Sequence, residues 1–124
     1  NMSYPAHAGG SLPRLPVVVL INENSASASE ILAAAIADQK RGTIIGEKSF
    51  GKGVVQTFYP LTSGRGGIRL TTAEYFSPNG RRVERQGVEP DYVVQDTARP
   101  NLDGDGNAPT EDSVLEAAIR FISR

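Results

Sequence analysis

The sequence predicts an α/β fold: a βαβ core, an antiparallel strand extension and a C-terminal helix. Three observations predict it. A continuous apolar, β-branched run at 17–21 (VVVLI) has the signature of a strand buried on both faces, as in a parallel sheet. An alanine-rich helical pattern follows over 27–41, and a second short apolar run at 43–46 completes the βαβ unit, with a right-handed crossover expected. Beyond residue 54 the pattern changes to alternation broken by turn signals, which marks antiparallel strands.

At 124 residues the chain is one domain at most, and 39% apolar content gives it a modest core among many loops, as 13 glycines and 8 prolines also indicate. A net charge of -1 with both signs mixed offers no electrostatic footprint for nucleic acid or an anionic membrane. The absence of cysteine removes disulfides, thiolate metal sites and cysteine nucleophiles together. No apolar run approaches the roughly 18 residues of a membrane helix, and no signal peptide is present. The chain reads as an excised piece of a longer protein.

Residues 1–15 hold Pro5, Gly9, Gly10 and Pro13 without periodicity and read as a loose arm that enters the fold at Pro16. In the first helix Ile31, Leu32, Ala35 and Ile36 form the expected apolar stripe, and Gly42 stands as the C-terminal stop. Strands are expected at 54–59 and 67–76, joined by a turn at 63–67. Pro78-Asn79-Gly80 signals a hairpin, with Asn-Gly suited to a type I′ turn. Pro90 places the segment 88–94 at a sheet edge or as extended chain. Residues 95–109, rich in Asp, Asn and Gly, read as a flexible linker. The last helix occupies 110–124, with Val114, Leu115, Ala118, Ile119 and Ile122 on one face.

The candidate chemistry lies between Asn22 and Gln56. The first strand feeds three alternating serines, Ser25, Ser27 and Ser29, and the second delivers a lysine between two glycines, Gly51-Lys52-Gly53. A serine at a strand-to-helix junction with a lysine in a loop is a candidate nucleophile and base. Ser27-Ala28-Ser29-Glu30 equally fits a capping box, which local sequence does not separate from a catalytic role. A first-turn serine sits beside free N–H groups at the positive end of the helix dipole, so the Ala28 N–H is a natural oxyanion donor. Lys52 reads either as a solvated loop lysine or, with Phe50, Val54 and Val55 beside it, as a lysine in a partly apolar setting. Only a neutral lysine accepts a proton, a state that burial favours.

Two other motifs carry less. Gly46 to Gly53 matches G-x-x-x-x-G-K, but Gly53 stands where a magnesium-binding Ser or Thr is needed, and a strand follows where that motif needs a helix. Asp103-Gly104-Asp105-Gly106-Asn107 begins like a calcium loop, yet Ala108 and Val114 occupy its glycine and glutamate positions. His7, the single histidine, lies in the arm, which disfavours a Ser-His-Asp triad. Arg81, Arg82 and Arg85 form a small basic cluster read as a solvated face.

From about Leu15 to Val94 the chain resembles the carboxyl-terminal processing, or tail-specific, peptidases, serine proteases with a Ser–Lys dyad. The resemblance rests on PVVVLIN, SASASEILAAAIAD, IIGEKSFGKGVVQTFYPL and IRLTTAEYFSPNGRRVERQGVEPDYVV, in order and at the family's spacing. It implies a partial crotonase-like protease core over 1–124, with Ser27 as nucleophile, Lys52 as general base, Gln56 as the residue that orients the lysine, and Ala28 N–H as one oxyanion donor. Asp38 falls where some members carry an aspartate that affects activity. No metal or cofactor is implied. The substrates implied are unfolded or C-terminally exposed proteins and peptides, cleaved near their tails. The PDZ domain and the second oxyanion donor of the family belong to upstream segments that this chain lacks, so the fragment is expected to be poorly active and to pair as a homodimer through an exposed strand edge. The resemblance implies an exported protein of the periplasm or cell envelope. The rival reading is a non-catalytic ligand- or protein-binding module on the same scaffold, which would need neither Ser27 nor Lys52.

Overall fold

The computed structural model describes residues 9, 15–95, 97 and 112–123. The expected arm and linker, with His7 and the segment 103–107, lie outside the described residues apart from the arm's and linker's edges. The elements run β1 (Val18–Ile21), α1 (Ala28–Asp38), β2 (Thr43–Gly46), β3 (Val54–Pro60), β4 (Gly67–Glu74), β5 (Tyr92–Val93) and α2 (Ser113–Ile122).

The expected α/β architecture is present. A parallel sheet runs in the order β1-β2-β5, with Val18 opposite Thr43, Ile21 opposite Gly46 and Ile45 opposite Tyr92. Strand alternation sends β2 side chains to opposite faces, and each face carries one helix. On one side Ile44 packs with Ile21, Ala33, Ala34 and Val88 beneath α1. On the other Ile45 packs with Val114 and Ala118 of α2, while the Tyr92 and Phe121 rings meet at a centroid distance of 5.5 Å. The β3–β4 hairpin forms a separate two-stranded ladder. Between Val55 and Gln56 its register shifts, because Val55 pairs with Ala73 and Gln56 with Thr71, leaving Thr72 as an extra residue on β4.

Several local expectations are corrected. The stripe of α1 is only in part the expected one: Ile36 packs against the core, but Ile31 is 48% and Leu32 59% exposed, while Glu30, Ala33 and Ala34 are buried. Two alanines let the helix approach the sheet closely, and the polar anchoring of Glu30 turns this face inward. The helix ends at Asp38 rather than Arg41, before Gly42. Lys40 adopts φ 51°, with Lys40 N–H bonded to Ala37 O and Arg41 N–H to Ile36 O, so a lysine takes the left-handed place of a Schellman cap. Strand β1 is not buried on both faces, since Leu20 is 39% exposed. Only part of the expected α2 face is covered: Val114 and Ala118 are buried, but Leu115, Ile119 and Ile122 are exposed.

The turn at 77–80 is not type I′. The Gly80 N–H bonds Ser77 O at 2.8 Å, which makes Pro78 and Asn79 the central pair, and only Gly80 has positive φ (76°). Proline at the first central position fixes φ near −65° and excludes the primed turn. Strand β4 stops at Glu74, and Phe76 forms an isolated bridge with Arg82 beyond it. Val88 is buried, and β5 is a two-residue strand at the sheet edge, where Pro90 pointed. No helix among the described residues is long and apolar enough to cross a membrane.

Candidate active site

Parallel strands deliver their following loops to one end of the sheet, which brings the β1–α1 and β2–β3 connections together. After β1 the chain turns tightly: Ser25 N–H bonds Asn22 O at 2.9 Å, and Asn22 N–H donates to Ser25 Oγ at 3.1 Å. Ser25 is thus occupied by the turn. Ser27 follows at φ 59° and ψ −116°, a conformation rare outside glycine that stores about 1–3 kcal/mol of backbone strain. It is the N-cap of α1, half-buried at the junction. The Ser27 hydroxyl lies where a capping box puts it but makes no cap hydrogen bond; the Glu30 N–H donates to Ser27 O at 3.0 Å instead. In the first turn of the helix, the Ala28 N–H has no partner among the described residues.

Glu30 organises both loops. Its side chain is fully buried and accepts four hydrogen bonds. Oε1 accepts from Ser49 Oγ (2.5 Å) and Gly51 N–H (2.6 Å), and Oε2 from Ser27 N–H (2.9 Å) and Lys52 N–H (2.8 Å). Burial pushes the carboxyl pKa up, but the bonds from Ser49, Lys52, Gly51 and Ser27 outweigh it and hold the group below its ordinary 4.5. The loop that carries Lys52 is held elsewhere as well. Phe50 N–H bonds Ser25 O, Gly53 N–H donates to Glu84 Oε2 at 2.8 Å, and Arg85 N–H bonds Gly51 O at 2.8 Å. The Tyr75 hydroxyl shares its one proton between Ser27 O (3.0 Å) and Lys52 O. Burial first, then the negative charge of Glu30, raises the Tyr75 pKa above 10.0, so the phenol keeps the proton it donates.

Ser27, Ala28, Lys52 and Gln56 line one open cleft of about 460 Å³. Ile31 forms part of its wall, and Phe58 and Arg69, paired across the hairpin, form another part. Lys52 and Gln56 are exposed, and the expected apolar cover does not close over Lys52, because Phe50 is 67% exposed. No hydrogen bond joins Ser27 Oγ to Lys52 Nζ, or Gln56 to Lys52, among the described residues. The cleft therefore combines a strained serine at a helix start, a lysine and a free N–H donor.

The model of peptidase family S41 matches residues 2–94 of this sequence. The chain belongs to peptidase family S41. The carboxy-terminal-processing protease of Bartonella bacilliformis is 50% identical over 94 residues, which cover 76% of this chain and 21% of that protein. The chloroplastic C-terminal processing peptidase of Tetradesmus obliquus is 46% identical over 102 residues, covering 82% of this chain and 22% of the relative. Among solved structures, a photosystem II D1 C-terminal processing protease superposes with a TM-score of 0.62 at 48% identity, over 64% of this chain and 20% of that one. The tricorn protease shares the fold over 98% of this chain, with a TM-score of 0.67 at 21% identity. The S41 chain described here thus spans about a fifth of the length of the curated relatives it matches.

In this S41 chain Asp38 lies outside the cleft, at the other end of α1, roughly 16 Å along the axis from Ser27. Its carboxylate accepts from Asn79 N–H at 2.9 Å and pairs with Arg81, which ties the helix to the 77–80 turn. A hydrogen bond from Ser77 is the largest influence lowering its pKa from 3.8, and the Asn79 and Arg81 contacts add to it. Residue patterns alone did not single out Tyr75 or Ser49, or the burial of Glu30. The available signal was the run Ser49 to Gly53, whose consecutive N–H groups need an acceptor that a loop does not supply by itself.

Proposed function

We propose that this chain carries the catalytic dyad of a serine endopeptidase that cleaves protein substrates near their C-terminal tails. Ser27 Oγ attacks the scissile carbonyl. Neutral Lys52 accepts its proton and returns it to the leaving amine; water then resolves the acyl-enzyme by the same path. The Ala28 N–H faces the oxyanion, and Gln56 orients Lys52 as the substrate settles. The observation that carries this reading is the common cleft of Ser27, Ala28, Lys52 and Gln56, with the serine held at positive φ on a helix N-terminus.

The 124-residue chain by itself is expected to be a poor protease. Its second oxyanion donor and its tail-binding surface, a PDZ domain by resemblance, belong to other segments, and one missing donor costs about 100- to 1,000-fold. The outer edge of β1, which no strand among the described residues pairs with, offers a route to homodimers. The resemblance supports an exported protein of the periplasm or cell envelope.

The test is covalent labelling of the full-length protein with a serine-directed probe, alongside cleavage of an unstructured apolar-tailed peptide. Wild type should label and cleave. Ser27→Ala should do neither, and Lys52→Ala should lose cleavage while keeping its melting temperature. Cleavage retained by Ser27→Ala would overturn Ser27 as the nucleophile, and a wild type that neither labels nor cleaves would favour a binding module on this scaffold.

A further inference from the structure

We propose that Glu30 and Tyr75 are positioning residues that together clamp the main chain of Ser27 and Lys52, gripping both N–H groups from one side and both carbonyls from the other. The proposal rests on the Ser27–Lys52 reading and deepens it.

The geometry is reciprocal. The two N–H groups converge on a single oxygen, Glu30 Oε2, at 2.9 and 2.8 Å. The two carbonyls converge on a single hydroxyl, that of Tyr75. Residues 25 positions apart in sequence are therefore held by the same two atoms. The other carboxylate oxygen is filled by Ser49 Oγ and Gly51 N–H, so all four acceptor sites of Glu30 are used. Tyr75 is itself fixed to the base loop, since its N–H bonds Gly53 O at 2.9 Å.

The physical consequence follows from stiffness. Lys52 is exposed, with a four-carbon stem and a glycine on either side, and none of these features restrains it. Bonds from N–H groups to a carboxylate are charge-assisted and stronger than neutral ones, and the positive helix N-terminus keeps Glu30 ionised there. With both peptides fixed, the mobility that remains to the dyad is side-chain rotation alone. Misplacement by about 1 Å costs on the order of 100-fold in rate, so a clamp at the backbone acts on turnover. Tyr75 also lines the cleft, but its hydroxyl is engaged by the Ser27 and Lys52 carbonyls, so its loss should act on turnover more than on substrate affinity.

The experiment uses the full-length protein with Tyr75→Phe, Glu30→Gln, Ser27→Ala and Lys52→Ala. It measures kcat and KM on the apolar-tailed peptide, the rate of probe labelling, and the melting temperature. Tyr75→Phe removes one oxygen from a ring that keeps its packing. It should lower kcat and the labelling rate together by about tenfold or more, with KM within about twofold and the melting temperature retained. Glu30→Gln turns one acceptor oxygen into a donor facing donors, and should lose more turnover still. If Glu30→Gln does not fold, Tyr75→Phe decides alone. Unchanged kcat in Tyr75→Phe, or a loss of activity that only tracks a loss of folded protein, overturns the clamp while the dyad stands. Retained cleavage by Ser27→Ala overturns the dyad, and the clamp with it.

Discussion

The Ser49 hydroxyl donates to Glu30 Oε1 over 2.5 Å and accepts from Val88 N–H at 2.7 Å, joining the buried carboxylate to the segment that leads into β5. Ser49 is only 5% exposed, so water does not replace it. Ser49→Ala strands the Val88 N–H and removes one of four donors to Glu30. The expected cost is about 1–3 kcal/mol of folding stability. Chemical denaturation reads it as a lower midpoint with an unchanged slope.

The Glu30 carboxyl has its pKa lowered in the folded state relative to 4.5. A carboxylate depressed on folding contributes stability that is fully present above the unfolded pKa, and it is lost as pH falls through the folded pKa. Stability should therefore hold near neutrality and decline once the pH falls below the ordinary carboxyl value of 4.5. Asp38, also lowered from 3.8, acts with the same sign. Melting temperatures of wild type and Glu30→Gln, measured from pH 7 downward, should converge in the acid range. Parallel curves throughout would show that Glu30 does not titrate with folding.

Gly53 lies against the backbone of Glu84, where an added Cβ would come within 2.3 Å of Glu84 N. Nothing flexible can yield there, because the obstacle is main chain. Gly53→Ala should destabilise by about 1–3 kcal/mol and shift the strand that carries Gln56. Because Lys52 precedes it directly, activity should fall further than the loss of folded protein explains; a titration of active serines against total folded protein separates the two.

Asp38 ties the end of α1 to the turn at Asn79 and to Arg81. Asp38→Asn keeps the side chain's size, removes the charge and weakens these ties. A lower melting temperature is expected, with probe labelling of Ser27 retained well below it. Loss of labelling without loss of stability would place Asp38 in the reaction instead.

Much of this architecture was legible because local pattern and global fold agree in it. The apolar run before the serines, the alanine helix and the second strand each read correctly by type, and Ser27 and Lys52 were candidates by position alone. What was illegible depends on partners distant in sequence. A glutamate at the third position of a capping box is ordinarily solvated, and nothing near Glu30 reveals that Ser49, Gly51 and Lys52 will surround it. The same burial misdirected the helix stripe, since Ile31 and Leu32 look like core until the carboxylate is known to face inward. Tyr75 reads as a strand aromatic until the two carbonyls it joins are brought together. At the turn, Asn79-Gly80 outweighed Pro78 in the reading, although the proline's fixed φ decides the geometry.

The extra residue at Thr72 fixes the character of the cleft rim. Counting evenly from the pairing of Glu74 with Val54, Leu70 would oppose Phe58 and Arg69 would oppose Tyr59. The irregularity instead sets Arg69 opposite Phe58, on the face shared with Gln56, and turns Ile68 and Leu70 to the other side with Tyr59 and Thr57. Whether an incoming chain meets a guanidinium or a leucine there is thus encoded in how many residues the strand contains as much as in which ones. Single-residue insertions or deletions in this ribbon form a separate axis of variation, able to exchange a cationic rim for a greasy one while every side chain of the reacting centre stays the same.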